Sequence, residues 1–93
     1  MIKTFSDKAT EQVFLGYPPK GLPANILSAA RRKLKYLDAA TTLKDLEVPP
    51  GNKLHRLIGD RKGQYAIWIN DKYRLCFRWA DDGATEVEIT DYH

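Results

Sequence analysis

Between residues 53 and 79 apolar and polar side chains alternate in three short runs, and a period of two marks strands with one buried face. In the first run His55 and Leu57 alternate with Leu54, Arg56 and Ile58. Gly59-Asp60-Arg61-Lys62-Gly63 then interrupts the pattern with turn residues, which predicts a hairpin. The second run, Gln64 to Asn70, sets Tyr65, Ile67 and Ile69 against Ala66 and Trp68. After the turn Asn70-Asp71-Lys72, the side chains of Tyr73, Leu75, Phe77 and Trp79 share one face, and Arg74, Cys76 and Arg78 share the other. One face is built to pack and the opposite one carries arginine. A fourth run, Thr85 to Tyr92, follows the strong turn signal Asp81-Asp82-Gly83, with Val87 and Ile89 opposite Glu86 and Glu88. Either glutamate is placed to pair across the sheet with Arg78.

The first half of the chain changes period. Ile2 to Phe5 reads as an edge strand, and Ser6 as the N-cap of a helix with Asp7 as a favourable acid in its first turn. Ala9, Val13 and Phe14 give this helix a narrow apolar stripe, and Gly16, Pro18 and Pro19 stop it. Pro23 suits the first turn of a second helix, along which Leu27, Ala30, Leu34 and Leu37 recur at helical spacing. Its Arg31, Arg32, Lys33 and Lys35 read first as a solvated face that complements the helix C-terminus and second as a contact for RNA or a partner. Thr41 to Leu46 adds a helical turn before the loop Pro49-Pro50-Gly51-Asn52. The whole is an α+β domain spanning residues 1–93, with two N-terminal helices packed on one face of a mainly antiparallel sheet of about four to five strands.

Charge sharpens this picture. Seven cations oppose two carboxylates between residues 53 and 79, a net +5, so the rest of the chain sums to −2 within an overall +3. A basic surface concentrated on the sheet points to an anionic partner, with nucleic acid first and an acidic protein second. Hydrophobic residues at 43 % exclude a disordered chain, and 93 residues permit one modest core. Cys76 is the only cysteine, which rules out an internal disulfide and a cysteine-based metal cluster and fits a reducing compartment. No apolar run approaches the ~20 residues of a membrane span, and Met1-Ile2-Lys3-Thr4-Phe5 lacks a signal-peptide core. A cytoplasmic protein without membrane partners is expected.

Lys53-Leu54-His55, Gly59-Asp60-Arg61, Gly63, the strand pair IWIND and YRLCF, and the terminal Asp91-Tyr92-His93 together resemble the HigB-type toxins of the RelE superfamily, over essentially the whole chain. The resemblance implies a RelE-like fold and the toxin of a type II toxin-antitoxin module: a ribosome-dependent mRNA endonuclease that cuts in the decoding site and inhibits translation. It implies a HigA-type antitoxin with a helix-turn-helix domain, through which alone the toxin would reach operator DNA. It places His55, Arg74, Asp91, Tyr92 and His93 on the family's RNA-cleaving site. No metal-ligand pattern and no cofactor motif is present, so the expected nucleophile is the ribose 2′-hydroxyl, leaving a 2′,3′-cyclic phosphate. His55 and His93 are the candidates for base and acid, in either order. Arg74 offers a fixed planar fork to the phosphorane-like transition state. Tyr92 suits base stacking or phosphate orientation, and Asp91 orients a histidine or accepts a proton. Lys53, Arg56, Arg61, Lys62 and Arg78 are the expected RNA-binding cations.

Two positions depart from the family pattern: Ile58 stands where lysine is common, and Ala66 where a serine often follows the strand aromatic. Compensation for the missing lysine is expected from Arg56, Arg61 or Lys62, with Arg56 favoured because it shares a strand face with Ile58. The competing readings are a module that binds RNA or the ribosome without cutting it, and a weakly active toxin serving mainly as an operon co-repressor with its antitoxin.

Overall fold

The computed structural model describes residues 1–91. Its sheet has the order β1-β2-β3-β4 and is antiparallel throughout, with β1 at His55–Arg56, β2 at Tyr65–Trp68, β3 at Tyr73–Ala80 and β4 at Gly83–Asp91. The N-terminal residues run parallel along the free edge of β4, bridging Ile2 to Ala84 and Phe5 to Val87. Helices α1 (Lys8–Leu15) and α2 (Leu27–Ala39) cover one face, giving the α+β class expected.

Local signals set both helices. Asp7, one residue later than the expected Ser6, caps α1, because its carboxylate accepts the Thr10 N–H at 2.7 Å. Gly16 closes α1 in the left-handed conformation, φ 94°, donating its N–H to the Gln12 and Val13 carbonyls. Pro23 opens a 3₁₀ turn, Ala24–Ile26, that runs directly into α2. Ala30, Leu34 and Leu37 lie fully buried along α2 against Ile67, Leu75, Phe77, Val87 and Ile89 of the sheet, which is the seam read from their spacing. Burying each of the two leucines is worth roughly 1.5–3 kcal/mol, so this seam holds the helix to the sheet.

Two details differ from the sequence reading and a third adds to it. Lys33 is buried rather than solvated: its ammonium donates to the side-chain oxygen of Asn52, which is fully buried and donates in turn to the carbonyls of Leu46 and Val48 at 3.1 and 3.3 Å. Burial, and secondarily Arg32, lowers the Lys33 pKa. Thr10 is buried too, because its hydroxyl accepts the Ile89 N–H at 2.9 Å. The first central strand shrinks to two residues, since Lys53 (φ 49°) and Gly59 (φ 67°) turn the chain on either side of it.

The face away from the helices holds a smaller cluster of Leu57, Ala66 and Cys76, beside the 3₁₀ turn Gly59–Arg61. Burial raises the Cys76 thiol pKa, consistent with a packing role. β4 bulges opposite Phe77, where Glu86 (φ 53°) is the extra residue. Among the described residues, no helix is long and apolar enough to cross a membrane.

Candidate active site

Strand register decides which candidates meet. His55 sits opposite Ala66, Ala66 opposite Cys76 and Cys76 opposite Glu88, a row across the sheet on the face away from the helices. The adjacent row on the same face runs Trp68, Arg74, Thr90. His55 and Arg74 therefore share a face, two strands and one row apart, or roughly 12 Å between Cα atoms from ordinary sheet spacings.

The exposed His55 ring is oriented by its own chain, with Nδ1 2.8 Å from the Lys53 carbonyl oxygen. Arg74 is fixed more heavily. Its Nη1 donates to the main-chain carbonyls of Asn70 and, at 3.1 Å, Tyr73, while its guanidinium carbon lies 3.9 Å from the centre of the Trp68 ring. Lys53 places its ammonium 3.7 Å from that same ring centre. Because Arg74 comes from β3 and Lys53 from the β1 side of β2, the indole stands between two cations.

The remaining candidates separate into groups. Arg61 is tied into the sheet face, reaching Gln64 at 3.0 Å, Glu88 at 3.2 Å and Thr90 at 3.4 Å. Arg78 pairs with Glu86 at 2.9 Å, one of the two partners expected for it. Arg56 lies on the other pleat from His55, opposite Tyr65 and with its guanidinium 5.8 Å from that ring. It meets the exposed Lys62 and Ile58 around a recess of about 540 Å³. Because β1 ends at Arg56, Arg56 and Ile58 do not share a strand face. Asp91 closes β4 opposite Tyr73 and pairs with Lys72 at 3.6 Å. Tyr92 and His93 lie outside the described residues. A larger cleft of about 670 Å³ opens on the helical side between α1 and α2, remote from these groups and lined by Tyr17, Arg31 and Tyr36 among others.

Trp68 is the residue that sequence reasoning undervalued. A core or sheet-face aromatic by its place in the strand, it lies half-buried on the outer sheet face with two cations over its ring. Its signal was available: Trp68 and Arg74 stand equidistant from Asp71 at the hairpin tip, which makes them direct cross-strand partners.

A sequence model of the HigB-like toxins, described as RelE-like toxins of the type II toxin-antitoxin system HigB, matches residues 3–93. "Toxin HigB-1" of Vibrio cholerae serotype O1 is 43 % identical over 90 residues, covering 96 % of this chain and 95 % of the relative. "Endoribonuclease HigB" of Proteus vulgaris is 31 % identical over 93 residues, the full length of both chains.

Proposed function

Because the chain belongs to the HigB-like toxins of type II toxin-antitoxin systems, for which an antitoxin is the expected partner, we propose that it is a metal-independent endoribonuclease cutting mRNA in the decoding site of the ribosome. The observation that carries this reading is the placement of His55 and Arg74 on one open sheet face, with Arg74 held by two carbonyls and an indole. The name of the Proteus relative points to the same chemistry.

A histidine takes the proton of a ribose 2′-hydroxyl as its oxygen attacks the adjacent phosphorus. The bond from phosphorus to the 5′-oxygen breaks as that oxygen is protonated by an acid. The products are a 2′,3′-cyclic phosphate and a 5′-hydroxyl end. His55 and His93 share the two proton-transfer roles, Tyr92 and Asp91 orient the reacting groups, and Arg74 stabilises charge on the phosphorane-like transition state. Lys53, Arg56 and Lys62 attract the RNA backbone, whereas Arg61 and Arg78 chiefly hold the face in shape through their own carboxylates. The setting is the cytoplasm, where a HigA-type antitoxin with a helix-turn-helix domain would silence the toxin and carry it to operator DNA.

Purified protein added to ribosomes programmed with a defined message tests this. Cleavage of the bound message, with free RNA left intact, is the expected result. Translation arrest with an uncut message would favour a non-catalytic ribosome binder.

A further inference from the structure

We infer that Lys53 is the positioning residue of this site: its carbonyl sets His55 as the base, and its ammonium, across Trp68, holds the Arg74 guanidinium in place. The functional consequence rests on the endoribonuclease reading; the geometry does not.

Lys53 occupies the left-handed region, φ 49° and ψ 49°, where an L side chain is disfavoured and glycine or asparagine is most at ease. The surrounding chain imposes this conformation. The Lys53 N–H donates to the Pro50 carbonyl at 3.1 Å, and the preceding Asn52 is clamped between Lys33, Leu46 and Val48. An unfavourable backbone kept by such an anchored turn invites a search for what it accomplishes.

It accomplishes two things. The turned carbonyl meets His55 Nδ1 at 2.8 Å, and since a carbonyl only accepts, the neutral ring must carry its hydrogen on Nδ1. Nε2 is then left with its lone pair, which suits it to receive the 2′-hydroxyl proton. The side chain from the same residue lies against Trp68, 3.7 Å from the ring centre, with Arg74 on the other flank at 3.9 Å. An indole between two cations is attracted by both, so the lysine that fixes the indole also fixes the arginine. Among the described residues, the ion pairs engage Lys3, Arg61, Lys72 and Arg78 rather than Lys53 or Arg74.

Three variants separate the two roles. Lys53→Gly accepts the left-handed backbone and keeps the carbonyl but loses the cation. Lys53→Arg keeps the cation, and Lys53→Val, β-branched, resists the backbone itself. In ¹⁵N-histidine-labelled free protein at mildly alkaline pH, with His55→Asn assigning the signals, long-range proton–nitrogen spectra should show His55 protonated on Nδ1 in the wild type and in the Gly and Arg variants. Lys53→Val should shift it toward Nε2 protonation. A wild-type ring protonated on Nε2, or a Val variant indistinguishable from wild type, overturns the carbonyl role.

Cleavage is then measured at saturating programmed ribosomes, where a lost phosphate contact alone would not slow the step. Lys53→Gly should be slower by about tenfold, the low end of what removing an orienting partner costs, with Lys53→Arg restoring the rate. Full-rate cleavage by Lys53→Gly overturns the side-chain role. If the wild type cuts nothing, the nuclease reading fails, while the spectra still decide whether Lys53 sets the ring.

Discussion

Lys33 shows how much of this protein is decided by single polar contacts. Three of its basic neighbours on α2, Arg31, Arg32 and Lys35, are exposed as their pattern suggests, but Lys33 turns inward to Asn52. Removing it in Lys33→Ala strands a buried amide oxygen, so stability measured by urea unfolding should fall by about 2 kcal/mol. Asp45 makes the opposite kind of contact, at the surface. Its carboxylate accepts from the Thr41 and Thr42 N–H groups at 3.0 and 3.1 Å, and these bonds lower its pKa. A depressed folded-state pKa contributes stability that is present above the unfolded value and lost as pH falls through the folded one. Acid unfolding of Asp45→Asn should therefore show a shallower loss of stability below about pH 4 than the wild type. The Lys33 contact was not readable from the sequence, because periodicity says which side of a helix a residue occupies but not which distant amide waits there, whereas Asp45 caps its own turn from three residues beyond Thr42.

At the level of the elements, the chain declared most of its plan. The spacing of Leu27, Ala30, Leu34 and Leu37 fixes α2 and its buried face, and the turns at Asn70-Asp71-Lys72 and Asp81-Asp82-Gly83 fix the β2-β3-β4 meander. Gly16 was legible as a stop signal, and the structure adds a second reason for it. With φ at 94°, and the Arg31 guanidinium 3.2 Å from where a Cβ would sit, Gly16→Ala should lose about 1 kcal/mol, seen as a lower Tm by circular dichroism. What stayed hidden was the brevity of β1 and the burial of Thr10 and Asn52. All three depend on partners far along the chain: Thr10 on Ile89, and Asn52 on Lys33, which together with Leu46 and Val48 anchors the turn before β1. The side carrying Arg74 was legible because a strict period of two sets it opposite Tyr73, Leu75 and Phe77, whereas His55 entered through the family resemblance and its face was settled only by the register with Ala66. The Lys53–Trp68–Arg74 stack was not drawn, although the hairpin register implied half of it.

Across the whole molecule, the two layers divide the work. The helices and the inward face of the sheet hold the main core, which leaves the outward face, apart from the small cluster of Leu57, Ala66 and Cys76, to carry charge. That division explains why a small basic domain presents His55 and Arg74 together, and why Ile58, 86 % exposed beside Arg56 and Lys62, stands apart from them. The most direct test of the account is the mapping of mRNA 5′ ends after brief expression of the wild type, His55→Ala and Arg74→Ala in cells lacking the antitoxin. The account predicts new 5′ ends at in-frame positions for the wild type, reduced roughly 10²-fold or more in each variant. Growth arrest by the wild type without new ends, or undiminished cleavage by either variant, would contradict it.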